Sequence, residues 1–117
     1  MKKYIPEDMR AGLDYVLVSY YDDDNEGRHE DWDVMFRKLE ALFPNAHVGF
    51  GECGFPQPHA ADSAFKAQVK AYYQMPRLSE RYVGGYFWWY WQQDCLPKEN
   101  SGFSWIAGGC DWMKKNY

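Results

Sequence analysis

Three cysteines in 117 residues, Cys53, Cys95 and Cys110, form no CxxC pair and no Cys/His spacing suited to zinc. Neither a disulfide scaffold nor a metal site is therefore expected, and all three read as free thiols. No stretch approaches the roughly 20 consecutive apolar residues of a membrane span. The N-terminus, Met1-Lys2-Lys3-Tyr4-Ile5-Pro6, runs straight into charged sequence without the apolar core of a signal peptide. A soluble chain without an export signal, cytoplasmic by default, is the expectation. A surplus of positive charge is lacking too: 13 Lys and Arg against 17 Asp and Glu leave a net charge of −4. Such a surface does not neutralise a phosphate backbone, so nucleic acid is not an expected partner. Internal repeats, low-complexity segments and cofactor motifs are missing as well. What the chain does have is rings: 20% of its residues are aromatic, with 6 Trp and 10 Tyr. That exceeds the need of so small a core, and some of the rings should face a ligand or another chain. The length fits a single domain over 1–117.

Periodicity orders the elements. Tyr15 to Tyr21 is a continuous β-branched and aromatic run, as in a strand buried on both faces. A polar loop, Asp22 to Arg28, follows it. Trp32, Met35, Phe36, Leu39, Leu42 and Phe43 recur at helical spacing, with Asp31 placed as N-cap and Pro44 ending the pattern. His47 to Glu52 reads as a second strand, running into the turn-rich segment Cys53 to Pro58. Ala61, Ala64, Phe65, Gln68, Val69, Tyr72 and Tyr73 line one face of a second helix that Pro76 closes. Tyr82 to Trp91 reads as a third strand, and Asn100 to Tyr117 as a Gly-rich loop with a short helix. The order β-α-β-α-β, with strand starts some thirty-odd residues apart, predicts an α/β fold with three parallel strands and alternating helices. Two long helices do not cover both faces of such a sheet, and two strand edges stay open.

In parallel α/β proteins function collects at the carboxyl ends of the strands. Here the three ends carry Ser19-Tyr20-Tyr21, Gly51-Glu52-Cys53-Gly54 and Trp88-Trp89-Tyr90-Trp91. A carboxylate beside tyrosine donors and a cluster of indoles suits a sugar: aromatic faces pack on the apolar face of a pyranose, and a phenol hydroxyl orients the carboxylate. The succession Ser19-Tyr20-Tyr21, the amphipathic helix ending at Phe43-Pro44, Gly51-Glu52-Cys53-Gly54 and Gly84-Gly85-Tyr86-Phe87-Trp88-Trp89-Tyr90-Trp91 resembles strands six to eight of (β/α)8-barrel retaining glycoside hydrolases of the cellulase-like superfamily. The resemblance spans about residues 13 to 95 and the last third of such a barrel. It implies a partial TIM barrel acting on an oligo- or polysaccharide with β-linkages, with Glu52 as nucleophile and Tyr21, or in second place Tyr20, as the tyrosine that orients it. It also implies Trp91, with Trp89 on the same strand face by period-two alternation, as the floor of the sugar site. Apart from the resemblance, His59 draws attention because it lies in the loop after Glu52.

Retaining hydrolysis uses two carboxyl groups about 5–5.5 Å apart. In the family the acid lies in an Asn-Glu pair on strand four, which the resemblance places ahead of residue 1. Asn25-Glu26 lies in a loop and does not take that part. Asp22-x-Asp24-x-Glu26-Gly27 imitates a calcium loop but lacks its final Glu and follows a strand, so it reads as a solvated acidic loop. His29 and His47 have no triad partner at readable spacing. Two rival expectations stand beside a hydrolase: a non-catalytic carbohydrate-binding domain, and a small α/β interaction domain whose tryptophans form an interface. The open strand edges predict self-association, or a missing N-terminal barrel segment that covers them.

Overall fold

A computed structural model describes residues 4–21, 30–55, 62–99 and 101–117 of the chain. In chain order the elements are α1 (Glu7–Gly12), β1 (Tyr15–Val18), α2 (Trp32–Leu42), β2 (His47–Cys53), α3 (Asp62–Tyr73), β3 (Tyr82–Trp88), α4 (Trp91–Cys95) and α5 (Ser101–Asn116). The three strands form one parallel sheet in the order β1-β2-β3, so the α/β class and the strand–helix alternation stand. Tyr15 pairs with His47 and Val18 with Phe50 across β1 and β2. Between β2 and β3 the register slips after the pair Val48 and Tyr82, and Phe50 meets Gly85. Gly84 sits at the slip with φ +91°, a backbone conformation that L side chains rarely adopt.

Both intervening helices pack on the same face of the sheet, because one side chain touches both. The ring of Phe50 in β2 meets Phe36 of α2 at 5.1 Å and Tyr72 of α3 at 5.0 Å, each edge to face. Phe36 also meets Tyr82 of β3 at 5.0 Å. Edge-to-face pairs of this kind add about 0.5–1.5 kcal/mol beyond the area they bury. Further along β3, Trp88 is wedged against Phe65 and Tyr73 of α3, 5.1 and 6.3 Å between ring centres. Among the described residues no helix covers the opposite face. Tyr15 and Leu17 of β1, with Phe87 and Trp89 at the end of β3, are exposed there.

Local chemistry sets the ends of the elements. Asp31 caps α2 as expected, its side chain accepting from the Val34 amide at 3.1 Å. At the other end of that helix Arg81 gathers four carbonyls: its Nη1 donates to Phe43, Pro44 and Ala46 at 2.8–3.0 Å and its Nη2 to Glu40 at 3.1 Å. The carbonyls left over at a helix C-terminus thereby find a charged donor.

Three expectations are corrected. The first strand is shorter than Tyr15 to Tyr21 and ends at Val18, although the amide of Tyr20 still donates to the carbonyl of Glu52 at 3.1 Å. The third strand stops at Trp88, where the indole nitrogen donates to Asp94 at 2.6 Å and the chain turns into α4. The tail is not a loop with a short helix but one helix of 16 residues. Two of its three glycines are there for proximity: a Cβ on Gly109 would stand 2.6 Å from Cβ of Tyr73, and one on Gly102 2.1 Å from the carbonyl oxygen of Asp94. Among the described residues no helix is long and apolar enough to cross a membrane.

Candidate functional site

The carboxyl ends of the strands are held in line by the sheet itself. Beyond the paired residues, the Tyr20 amide bonds the Glu52 carbonyl on one side, and the Trp89 amide bonds the Cys53 carbonyl at 2.9 Å on the other. Glu52 is thus fixed at the end of the central strand, where its side chain is half-buried. The Tyr21 hydroxyl donates to its Oε2 at 3.2 Å. Burial first, and then the charge and hydrogen bond of Glu52, hold the Tyr21 phenol above its ordinary value. The proton stays on the phenol, which keeps Tyr21 a donor to the carboxylate across the neutral range.

Tyr21 and Tyr90 both press on Gly54. A Cβ there would lie 3.3 Å from the Tyr21 ring and 3.1 Å from that of Tyr90. The glycine after the Glu52-Cys53 strand end therefore makes the slot in which the two rings stand. An open hollow of about 510 Å³ lies in front of Glu52, lined by Leu17, Ser19, Gly51, Phe87, Trp88 and Trp89. Glu52 is its one carboxylate among the described residues. The hollow has an apolar wall of rings, one hydroxyl from Ser19 and one anionic group: the composition that receives a polyhydroxylated ring with an apolar face.

The site residues expected from sequence divide into three groups. Glu52, Tyr21 and Trp89 come together. Tyr20 and Trp91 do not: Tyr20 turns into the helical layer, its ring edge-on to Trp32 at 4.8 Å, and Trp91 opens α4 with its ring 5.9 Å from Phe103 of α5. Trp91 shares no strand face with Trp89, because the strand has ended between Trp88 and the helix. His59, His29 and the acidic loop from Asp22 to Arg28 lie outside the described residues. Sequence reasoning passed over Leu17, Ser19 and Phe87 as lining residues and Tyr90 as a neighbour of Tyr21. Period-two alternation was the available signal, since Ser19 and Trp89, each just past a strand end, stand two after Leu17 and Phe87.

Cys53 and Cys95 are deep and protonated, while Cys110 is only partly buried. Burial pushes Cys53 up to about 12, partly offset by its hydrogen bond with Tyr73, and Cys95 up to about 11. Among the described residues no three His, Cys, Asp or Glu side chains stand close enough to hold a metal ion. No family model, no curated protein and no solved structure matches this chain.

Proposed function

We propose that the chain is the C-terminal portion of a (β/α)8-barrel retaining glycoside hydrolase acting on a β-linked oligo- or polysaccharide, with Glu52 as nucleophile. The observation that carries the reading is the Tyr21 hydroxyl bonded to Glu52 at 3.2 Å, at the carboxyl end of the central parallel strand and facing a hollow walled by Trp89 and Phe87. Sequential strand order with both helices on one face agrees with a segment of a barrel wall, whereas a doubly wound sheet reverses its order and places helices on both faces. In this reading the uncovered face of Tyr15, Leu17, Phe87 and Trp89 lies toward the barrel interior, and the remaining strands cover it. Without them the same face drives self-association.

The chemistry follows from the groups present. The sugar packs its apolar face on Trp89, and Tyr21 aims the Glu52 carboxylate at the anomeric carbon. An oxygen of Glu52 forms a bond to that carbon as the bond to the leaving group breaks, and the leaving group departs with the electron pair. Water later cleaves the glycosyl ester. Among the described residues no second carboxylate lines the hollow, so an alkoxide leaving group has no proton donor among them. Fluoride and nitrophenolate need none.

The test is trapping with β-glucosyl, β-mannosyl and β-xylosyl fluorides that carry fluorine at C2, followed by peptide mass spectrometry. A glycosyl adduct on Glu52, and turnover of nitrophenyl glycosides that disappears in Glu52→Gln while natural glycans stay intact, is the expected result. Turnover that survives in Glu52→Gln removes Glu52 from the nucleophile's place. The single carboxylate in the hollow favours one other reading, carbohydrate binding without catalysis. Saturable oligosaccharide binding that needs Trp89, with no adduct on any residue, would establish that reading instead.

A further inference from the structure

A second recess lies in the helical layer and shares no lining residue with the hollow at Glu52. It is a cleft of about 170 Å³ between α3 and α5, with Lys66, Lys70 and Gln74 on one wall and Ser104, Trp105 and Gly108 on the other. Residues four apart on a helix share one stripe, so the two ammonium groups and the amide of Gln74 rise along the same wall. Facing them, Trp105 presents its indole to Lys66, whose Nζ stands 5.9 Å from the ring centre. One turn on, Gly108 leaves the opposite wall open, with no atom within 4 Å of where a Cβ would stand.

The charge of the cleft runs against that of the chain. The protein as a whole carries −4, yet among the described residues no carboxylate lines this recess. The ion pairs Arg37 with Asp33 and Lys114 with Asp111 do not involve Lys66 or Lys70. Two like charges one turn apart on a helix repel each other, by a few tenths of a kcal/mol. A bound dianion reverses that sign, and the recess supplies ammonium and amide groups to meet its oxygens. Its volume equals that of about six waters at about 30 Å³ each, room for an oxyanion on a short carbon stem. The stem would lie along the indole of Trp105.

We propose that this cleft binds a small phosphate monoester, the dianionic head between Lys66 and Lys70 and the carbon stem against Trp105. Inorganic phosphate shares the head chemistry and lacks the stem, so the two sources are separable. The full chain, labelled with ¹⁵N, is titrated with glycerol 2-phosphate, inorganic phosphate, glycerol and sodium chloride at matched ionic strength, following the Trp105 indole and Gly108 amide resonances. Glycerol 2-phosphate is expected to shift both saturably, inorganic phosphate more weakly, and glycerol and chloride not at all. Lys66→Gln with Lys70→Gln should weaken glycerol 2-phosphate binding by about tenfold or more, as loss of charged hydrogen bonds implies. Both side chains are exposed, and an unchanged melting temperature confirms that the double variant is folded. Equal shifts with chloride, or unchanged affinity in the folded double variant, would overturn the proposal. Inorganic phosphate binding as tightly as the ester would also overturn it, by removing Trp105 from the recognition.

Discussion

Two neighbouring tryptophans on one strand end have opposite fates. Trp88 is 5% exposed, wedged among Phe65, Tyr73 and the carboxylate of Asp94, while Trp89, the next residue, is 61% exposed beside Glu52. The same division runs through the whole sheet. On the helical face Phe36, Phe50, Tyr72 and Tyr82 interlock edge to face and are excluded from water. On the other face Tyr15, Leu17 and Phe87 stay exposed. The high aromatic content is thus two populations, one spent on stability and the other left at the surface where a ligand or another segment of protein can reach it.

The largest effect should separate those two tryptophans. Trp88→Ala removes a buried ring and leaves Asp94 without its indole partner, and should lower the unfolding free energy by about 3–5 kcal/mol. Trp89→Ala should stay within about 0.5 kcal/mol of the parent in the same urea titration. Equal losses would break the contrast between the faces.

Alkali should attack the covered face next. Folding raises Cys53 from 9.0 to about 12, so the folded protein holds that proton more tightly than the unfolded chain does. Stability from this group is whole below about pH 9 and drains away as the pH climbs toward 12. By pH 11, two pH units above the free thiol value, the loss from Cys53 should be about 2–3 kcal/mol at roughly 1.4 kcal/mol per unit. Melting temperatures between pH 8 and 11 measure it, and Cys53→Ala should flatten the slope.

A smaller and sharper test uses adjacent glycines in α5. Gly109→Ala drives a methyl into Tyr73 and should cost about 1–3 kcal/mol. Gly108→Ala meets open space and should stabilise the helix by up to about 1 kcal/mol through propensity alone. Thermal denaturation of the two variants should therefore move in opposite directions.

That pair of glycines also explains where sequence reading stops. The alternation of strands and helices, the Asp31 cap and the end of α2 near Pro44 were legible because each is written within a few neighbouring residues. A glycine-rich stretch reads locally as a loop. Gly102 and Gly109 stand inside a helix as glycines because the carbonyl of Asp94 and the side chain of Tyr73 leave no room for a Cβ, contacts that local composition does not show. The placement of Trp91 escaped for a similar reason: β3 ends where the Trp88 indole finds Asp94, a contact invisible to period-two counting. At the site, Glu52 and Tyr21 were legible from the ordered strand ends. Tyr90 was not, because its place beside Tyr21 depends on the slot at Gly54 and on the turn into α4.

The guanidinium of Arg81 gives the sheet a fixed end and a free one. It pins the last turn of α2, the approach to β2 and the start of β3 to a single planar group at the amino ends of the strands. Amide hydrogens there should exchange with solvent more slowly than those at the opposite ends of the strands. At the carboxyl ends, where Glu52 stands, no such pin joins the described residues, and the contacts are single bonds and ring edges. Opening should therefore begin at the end that carries the carboxylate and stop short of the end that carries the arginine.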